Sequence, residues 1–288
     1  METKNLNIVK LDSWVKEIIV DPLSKGNLVE ENNHLVSNYG RYYPITNGIC
    51  DFRLFNNNTT EEQKLWKKGQ LHYEHLAEIS IKNDSKSDYV QGFNGVKEIY
   101  DDIIIKGDCL DVGGGIGTLR AFLQANQKYI SCDPFINAFN DLLKRKNLIK
   151  AYPFIIEPVN FICCVAEFLP FKSCSFDTVH MRSVIDHFLN PEFALNEAYR
   201  VLRKDGILIV GLYVTGGKSG KIGLKKQIKN LIISVLPFLK RDHHIWHPTY
   251  NKLVKLISNR GFKIIKTHWQ KGYNDTVCYL ECKKISEF

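Results

Sequence analysis

The chain has 288 residues, 44% hydrophobic and 24% charged, with a formal net charge of +8, and that length suggests a main domain with a small appended module. No apolar run reaches the roughly 18 to 20 residues that cross a bilayer and the amino-terminal stretch has no signal-peptide core, so a soluble cytoplasmic protein is expected. The positive charge would suit nucleic acid, anionic lipid or a phosphorylated substrate, but ordinary enzymes share it and it selects none of them.

In chain order, residues 1–56 read as a small β-rich module. The run Asn57-Asn58-Thr59-Thr60 followed by Glu61-Glu62 marks a linker and a helix start, so residues 57–100 are expected to be linker and capping helices. From about Asp101 short apolar runs alternate with helical segments, the pattern of a parallel sheet covered by helices. Strands are expected at 109–112, 129–133, 160–165, 176–182, 207–214, 262–268 and 276–282. Helices are expected at 119–125, 138–144, 191–202 and 249–259. The last two strands have no helix between them and turn at Gln270-Lys271-Gly272-Tyr273-Asn274, so they should form an antiparallel hairpin. The expected fold is α/β: a doubly wound, Rossmann-like, seven-stranded sheet ending in an antiparallel hairpin, with a small β-rich amino-terminal module. The eight cysteines include no CxxC pair and read as reduced core residues.

The segment Asp111-Val112-Gly113-Gly114-Gly115-Ile116-Gly117-Thr118 places glycines where a strand turns into the next element, which is where a nucleotide-like ligand approaches backbone closely. The dinucleotide fingerprint GxGxxG needs a glycine at position 118, where this chain has Thr118. The pattern DxGxGxG is complete. Asp133 ends the next expected strand, where a carboxylate can accept hydrogen bonds from both hydroxyls of a ribose. A nicotinamide-dependent oxidoreductase is disfavoured by Thr118 and by the terminal hairpin.

These features, with Ala166-Glu167-Phe168-Leu169-Pro170-Phe171, Ser183-Val184-Ile185-Asp186-His187 and Arg200-Val201-Leu202-Arg203-Lys204-Asp205-Gly206, resemble the seven-stranded (class I) S-adenosylmethionine-dependent methyltransferases over about residues 95–288. The resemblance implies that Asp111 and the backbone of Gly113, Gly115 and Gly117 hold the methionine portion of S-adenosylmethionine. It places the ribose on Asp133, Pro134 and Phe135 beside the adenine, Ala166 and Glu167 along the adenine edge, and Arg182 with Ser183 at the far wall. Many relatives carry an aspartate where this chain has Val165. The activity implied is methyl transfer to a small-molecule or lipid- or glycan-linked acceptor. An RNA methyltransferase and a non-catalytic S-adenosylmethionine-binding partner protein are the alternatives.

The amino-terminal residues 1–56 resemble a small zinc-ribbon-like domain found before some methyltransferases, with Asp21, Ser24, Val36 and Tyr39 near the positions of the metal cysteines. Without thiolates, zinc binding is not expected. An acceptor lid is expected at about 215–247. Its basic stretch 218–241 carries Leu224, Ile228, Leu231, Ile232, Val235 and Leu239 at helical spacing, which suits a lid helix or a peripheral membrane contact better than nucleic acid. The loop Asp242-His243-His244-Ile245-Trp246-His247 reads as an acceptor-pocket wall. His187, His244 and His247 are the candidate catalytic residues, and no metal is assigned.

Overall fold

The structure, a computed structural model, describes residues 8–54, 61–84, 89–221 and 244–285. Its strands are β1 (Val9–Lys10), β2 (Leu28–Glu31), β3 (His34–Ser37), β4 (Tyr42–Thr46), β5 (Ile49–Asp51), β6 (Cys109–Val112), β7 (Tyr129–Asp133), β8 (Val159–Cys163), β9 (Phe176–Arg182), β10 (Leu202–Tyr213), β11 (Phe262–Trp269) and β12 (Val277–Lys284). The helices are α1 (Ser13–Ile18), α2 (Glu61–Lys82), α3 (Tyr89–Tyr100), α4 (Lys146–Ala151), α5 (Pro191–Val201) and α6 (Tyr250–Ser258).

Every residue of β6 and of β8 is buried. Continuous apolar runs of this kind suit parallel strands covered on both faces. The strands run in the order β11-β12-β10-β9-β6-β7-β8-β5-β4-β3-β2. From β8 across to β10 all neighbours are parallel, and β12 is antiparallel to both β10 and β11. This is the doubly wound arrangement with a closing hairpin that the sequence leads one to expect. The chain starts the domain in the middle, at β6, winds outward through β7 and β8, and then returns to the other side of β6 with β9. The crevice beyond the carboxyl ends of β6 and β9 is therefore a point of topological reversal, where ligands of open α/β sheets collect.

Two expected helices are shorter than the periodicity suggests. Residues 119–125 supply only a 3-10 turn, Thr118–Phe122. Residues 138–144 supply only Leu142–Lys144. In the second case Asn137, Asn140 and Asp141 compete with the helix by local side-chain bonding: Asn140 donates to Asn137, and Asp141 is left-handed at φ 54°. The better-capped segments hold. At α5, Asn190 accepts from the amides of Glu192 and Phe193, with Pro191 in the first turn and Ala194, Leu195, Ala198 and Val201 buried. At α6, Thr249 caps and Leu253 and Ile257 face the core.

The amino-terminal strands lie in the same sheet: β5 runs parallel to β8, and β4 continues from β5. Val15, Tyr43, Cys50 and Phe52 share one core with Leu110, Ile130, Ile162 and Phe171. Two turns, 21–26 and 37–41, meet around the fully buried Asp21. Its carboxylate accepts from the amides of Leu23 and Ser24 at 2.8 Å, from the Tyr43 hydroxyl at 3.1 Å and from Arg41 at 3.3 Å. The residue of the second turn that faces Asp21 is Ser37, one position beyond Val36. Burial pushes the Asp21 carboxyl up, but the Ser24 and Leu23 amides and the Ser37 and Tyr43 hydroxyls outweigh it and bring the pKa down to about 2. Among the described residues no helix is long and apolar enough to cross a membrane. The expected amphipathic stretch at 224–239 and His243 lie outside the described residues.

A depressed carboxyl pKa contributes stability above the unfolded value that is lost as pH falls through the folded one. Between pH about 4 and 2 the wild type should lose roughly 2 kcal/mol through Asp21. Asp21→Ala should be less stable at pH 7 by about 2 to 4 kcal/mol, because the hydroxyl and amides it satisfies stay buried. It should also lack that part of the acid dependence. Urea unfolding of both proteins at pH 7 and pH 3 checks this.

Candidate functional site

Asp111, in the third position of β6, points beneath the glycine turn. It is almost fully buried, and its Oδ2 accepts from the Tyr129 hydroxyl at 2.7 Å. Its Oδ1 lies 2.7 Å from Nδ1 of His180, whose Nε2 is 2.5 Å from the Tyr100 hydroxyl. With Nδ1 protonated, His180 donates to Asp111 and accepts from Tyr100, so all four groups are satisfied in one chain. Burial, followed by the neighbouring Asp111 carboxylate, pushes the Tyr129 phenol well up, so it stays a donor.

Above this carboxylate the turn leaves no room for a side chain at Gly113 or Gly114. Gly113 has φ 71°, and a Cβ there would stand 2.4 Å from Cγ1 of Val184. A Cβ on Gly114 would stand 2.4 Å from Oδ2 of Asp111. Gly115 and Gly117 are also left-handed, at φ 50° and 80°. Glycine is thus required both by backbone conformation and by close approach. Ser131 donates to the carbonyl of Gly115 at 2.9 Å, which ties the turn to β7.

The turn separates two cavities. The larger, about 330 Å³, is walled by Val112 and Gly113, by Cys132 to Phe135, by Cys164 to Glu167, by Arg182 to Val184, and by His187 and Phe188, with Trp66, Gln70 and Tyr73 of α2 across from them. The smaller, about 50 Å³, lies between Asp111, Gly113, Gly114, Thr118, His180 and Arg182. Arg182 borders both. Burial opposes its charge, but Tyr100, Tyr279 and Asp111 around it outweigh that and hold its pKa above the ordinary arginine value. The result is a fixed cation at the end of β9 and beside the glycine turn.

Asp133 accepts from the amide of Phe135 at 2.9 Å. Burial lifts its carboxyl pKa to about 6, against the lowering effect of the Phe135 and Gly115 amides. Glu167 is spoken for: its Oε1 accepts from the amide of Asn190 at 3.0 Å, so it anchors the 166–168 turn to the start of α5 while bordering the cavity. Pro134 is held from the amino-terminal side, since Arg53, paired with Asp51, donates to its carbonyl at 3.3 Å.

At the mouth, the Tyr73 hydroxyl lies 3.0 Å from Nε2 of His187. The His187 ring is 4.3 Å from that of His244, and His247 is 5.2 Å beyond His244. The backbone carbonyl of Asp186 accepts from the amides of Ile245 at 2.8 Å and Trp246 at 3.2 Å, which fixes His244 beside His187 across 57 residues of sequence. The structure therefore brings together Asp111, Gly113, Asp133, Pro134, Ala166, Glu167, Arg182 and His187 around the cavities, with His244 and then His247 in line at the rim. Gly115 and Gly117 shape the turn from outside the larger cavity's wall.

Sequence reasoning missed Trp66, Gln70 and Tyr73, whose spacing of four and three marks one helix face. It also missed the bracing trio Tyr100, Tyr129 and His180. A histidine inside the apolar run 176–182 was the available signal for the last of these.

Residues 110–210 match the family model described as a methyltransferase domain. An uncharacterised protein of Methanocaldococcus jannaschii is 28% identical over 108 residues, 38% of this chain and 48% of that protein. The ubiquinone/menaquinone biosynthesis C-methyltransferase of Campylobacter jejuni is 29% identical over 106 residues, 36% of this chain and 45% of that protein. The chain thus matches about half the length of these relatives. A chain from the complex that contains the Haloferax volcanii Trm112 methyltransferase activator superposes with a TM-score of 0.50 at 11% identity, over 73% of this chain and 96% of that one. That likeness supports the fold.

A carboxyl whose folded pKa is raised loses stability between its unfolded and folded values, because the unfolded chain ionises first. For Asp133 that window is pH about 4 to 6, and the cost above it is roughly 3 kcal/mol. Asp133→Asn should therefore be more stable than the wild type at pH 8 by about 1 to 3 kcal/mol and equal to it at pH 4. Urea unfolding at the two pH values measures the difference.

Proposed function

We propose that this chain is an S-adenosylmethionine-dependent methyltransferase acting on a small-molecule or lipid- or glycan-linked acceptor. The observation that carries the reading is the placement of Asp133, at the end of β7, and Arg182, at the end of β9, on the two sides of the glycine turn, both in the wall of a cavity of about 330 Å³. A ligand with a ribose at one end and an amino-acid carboxylate at the other fits that separation of charge. The turn between them offers backbone to its middle.

Asp133 accepts from the ribose hydroxyls, and Arg182 pairs with the carboxylate of the methionine portion. The backbone of Gly113 lies along that portion, while Gly115 and Gly117 shape the turn and Asp111 holds it in place from beneath. Pro134, Phe135, Ala166 and Glu167 border the adenine. Val165 offers no side-chain acceptor to the adenine amine, so that bond falls to backbone.

When bound, S-adenosylmethionine supplies a methyl group already activated on a sulfonium. The protein's part is then alignment and exclusion of water. Trp66, Gln70 and Tyr73 close the acceptor side. A hydroxyl acceptor gives its proton to an imidazole at the cavity mouth, His187 or His244, as its oxygen takes the methyl group. Tyr73 orients His187, and His247 extends the wall.

Calorimetry should show binding of S-adenosylhomocysteine and none of NAD. Asp133→Ala should weaken that binding by about 1.5 to 3 kcal/mol through loss of charge-assisted hydrogen bonds. Tight NAD binding, or an unaltered affinity in Asp133→Ala, would refute the assignment. Once an extract-derived acceptor is in hand, His244→Ala should leave cofactor affinity within about threefold while turnover falls by roughly 10²-fold. Equal loss of both would put His244 on the cofactor side.

A further inference from the structure

At the mouth of the large cavity three side chains from two distant segments converge. Asp186 and His187 come from the turn after β9, and His244 from the segment that precedes α6. One ligand atom from each lies within 4.8 Å of the other two. Oδ1 of Asp186 is 3.8 Å from Nε2 of His187, and Oδ2 is 3.6 Å from Nε2 of His244. The Asp186 residue is only 7% exposed, and its Oδ1 accepts no hydrogen bond among the described residues. A buried carboxylate oxygen in that condition is costly unless something positively charged or protic faces it.

We propose that Asp186, His187 and His244 bind a divalent first-row transition cation. Two imidazoles and one carboxylate suit zinc, iron, cobalt or nickel better than magnesium or calcium, which prefer all-oxygen shells. Ligand atoms around such an ion stand about 3 to 3.5 Å apart, so closing on it takes small side-chain rotations and the release of Nε2 of His187 from the Tyr73 hydroxyl. The loop histidines alone could not make the site. It is the backbone bonds from Ile245 and Trp246 to the carbonyl of Asp186 that bring the carboxylate and both imidazoles together.

Three protein ligands leave further coordination positions for a ligand oxygen, and His187 is itself part of the cavity wall. On the methyltransferase reading, the cation sits on the acceptor side. It selects an acceptor that presents a hydroxyl or carbonyl oxygen, and it lowers the proton affinity of that oxygen. Cation binding itself does not depend on that reading.

The test uses tag-free full-length protein and Co²⁺ as the probe, with calorimetry for affinity and visible absorption for coordination. The wild type should bind one Co²⁺ per chain and develop ligand-field bands. Asp186→Asn, which keeps the side chain's shape, and His244→Ala should each weaken binding by ~10-fold or more. His34→Ala, in β3, should bind as the wild type does. Circular dichroism and thermal unfolding confirm that each variant is folded. Absence of saturable binding by the wild type, or undiminished binding by either Asp186→Asn or His244→Ala, overturns the proposal. S-adenosylhomocysteine binding measured on the same samples separates the two readings. Its loss with Co²⁺ binding intact removes the methyltransferase and leaves the cation site, and the reverse removes only the cation.

Discussion

The Asp111 carboxylate, clamped between Tyr129 and His180 under the glycine turn, is the contact on which the rest of the site depends. Burying a carboxylate among apolar strands is affordable only when both oxygens are satisfied, and here one comes from β7 and the other from β9. The same two bonds lock the central strand to the strands on either side of the sheet's reversal point. They therefore fix the crevice itself. Gly114 has no freedom above that carboxylate, because a single added carbon would collide with Asp111 and Ser131. The direction of the turn, and with it the line from Asp133 to Arg182, follows from this packing.

The amino-terminal strands extend this logic outward. Arg53 reaches from just after β5 to the carbonyl of Pro134, so the loop that follows Asp133 is held from a part of the chain some 80 residues earlier in sequence. Upstream, the two turns around Asp21 are joined by one carboxylate and a ring of donors. An arrangement of that kind needs a low carboxyl pKa, as found, because each donor prefers the charged form.

Much of this was legible in the sequence. The strands 109–112, 129–133 and 176–182 coincide with the observed ones, because buried parallel strands are short apolar runs with sharp ends. The glycine turn and Asp133 were legible for a different reason: their spacing is set by the geometry at the ends of two neighbouring strands. What could not be read was whatever depends on meeting in space. Trp66, Gln70 and Tyr73 look like an ordinary helix face until α2 is seen across the cavity. His180 is one residue in an apolar strand until Asp111 and Tyr100 appear on either side of it. The helices expected at 119–125 and 138–144 shrank because Asn and Asp side chains and left-handed residues outcompete a weak period.

The two halves of the cavity are built on different principles. The half bounded by Gly113, Asp133, Ala166 and Arg182 stands on strand ends and on backbone held by the sheet, which defines one shape closely. The half bounded by Tyr73 and His187, with His244 at its rim, is assembled from α2, a single 3-10 turn and a segment pinned by two bonds to the Asp186 carbonyl. Side chains on such supports can be exchanged without disturbing the sheet, so this half of the cavity is the freer of the two to vary. The imidazoles there face the same small space as the Asp186 carboxylate.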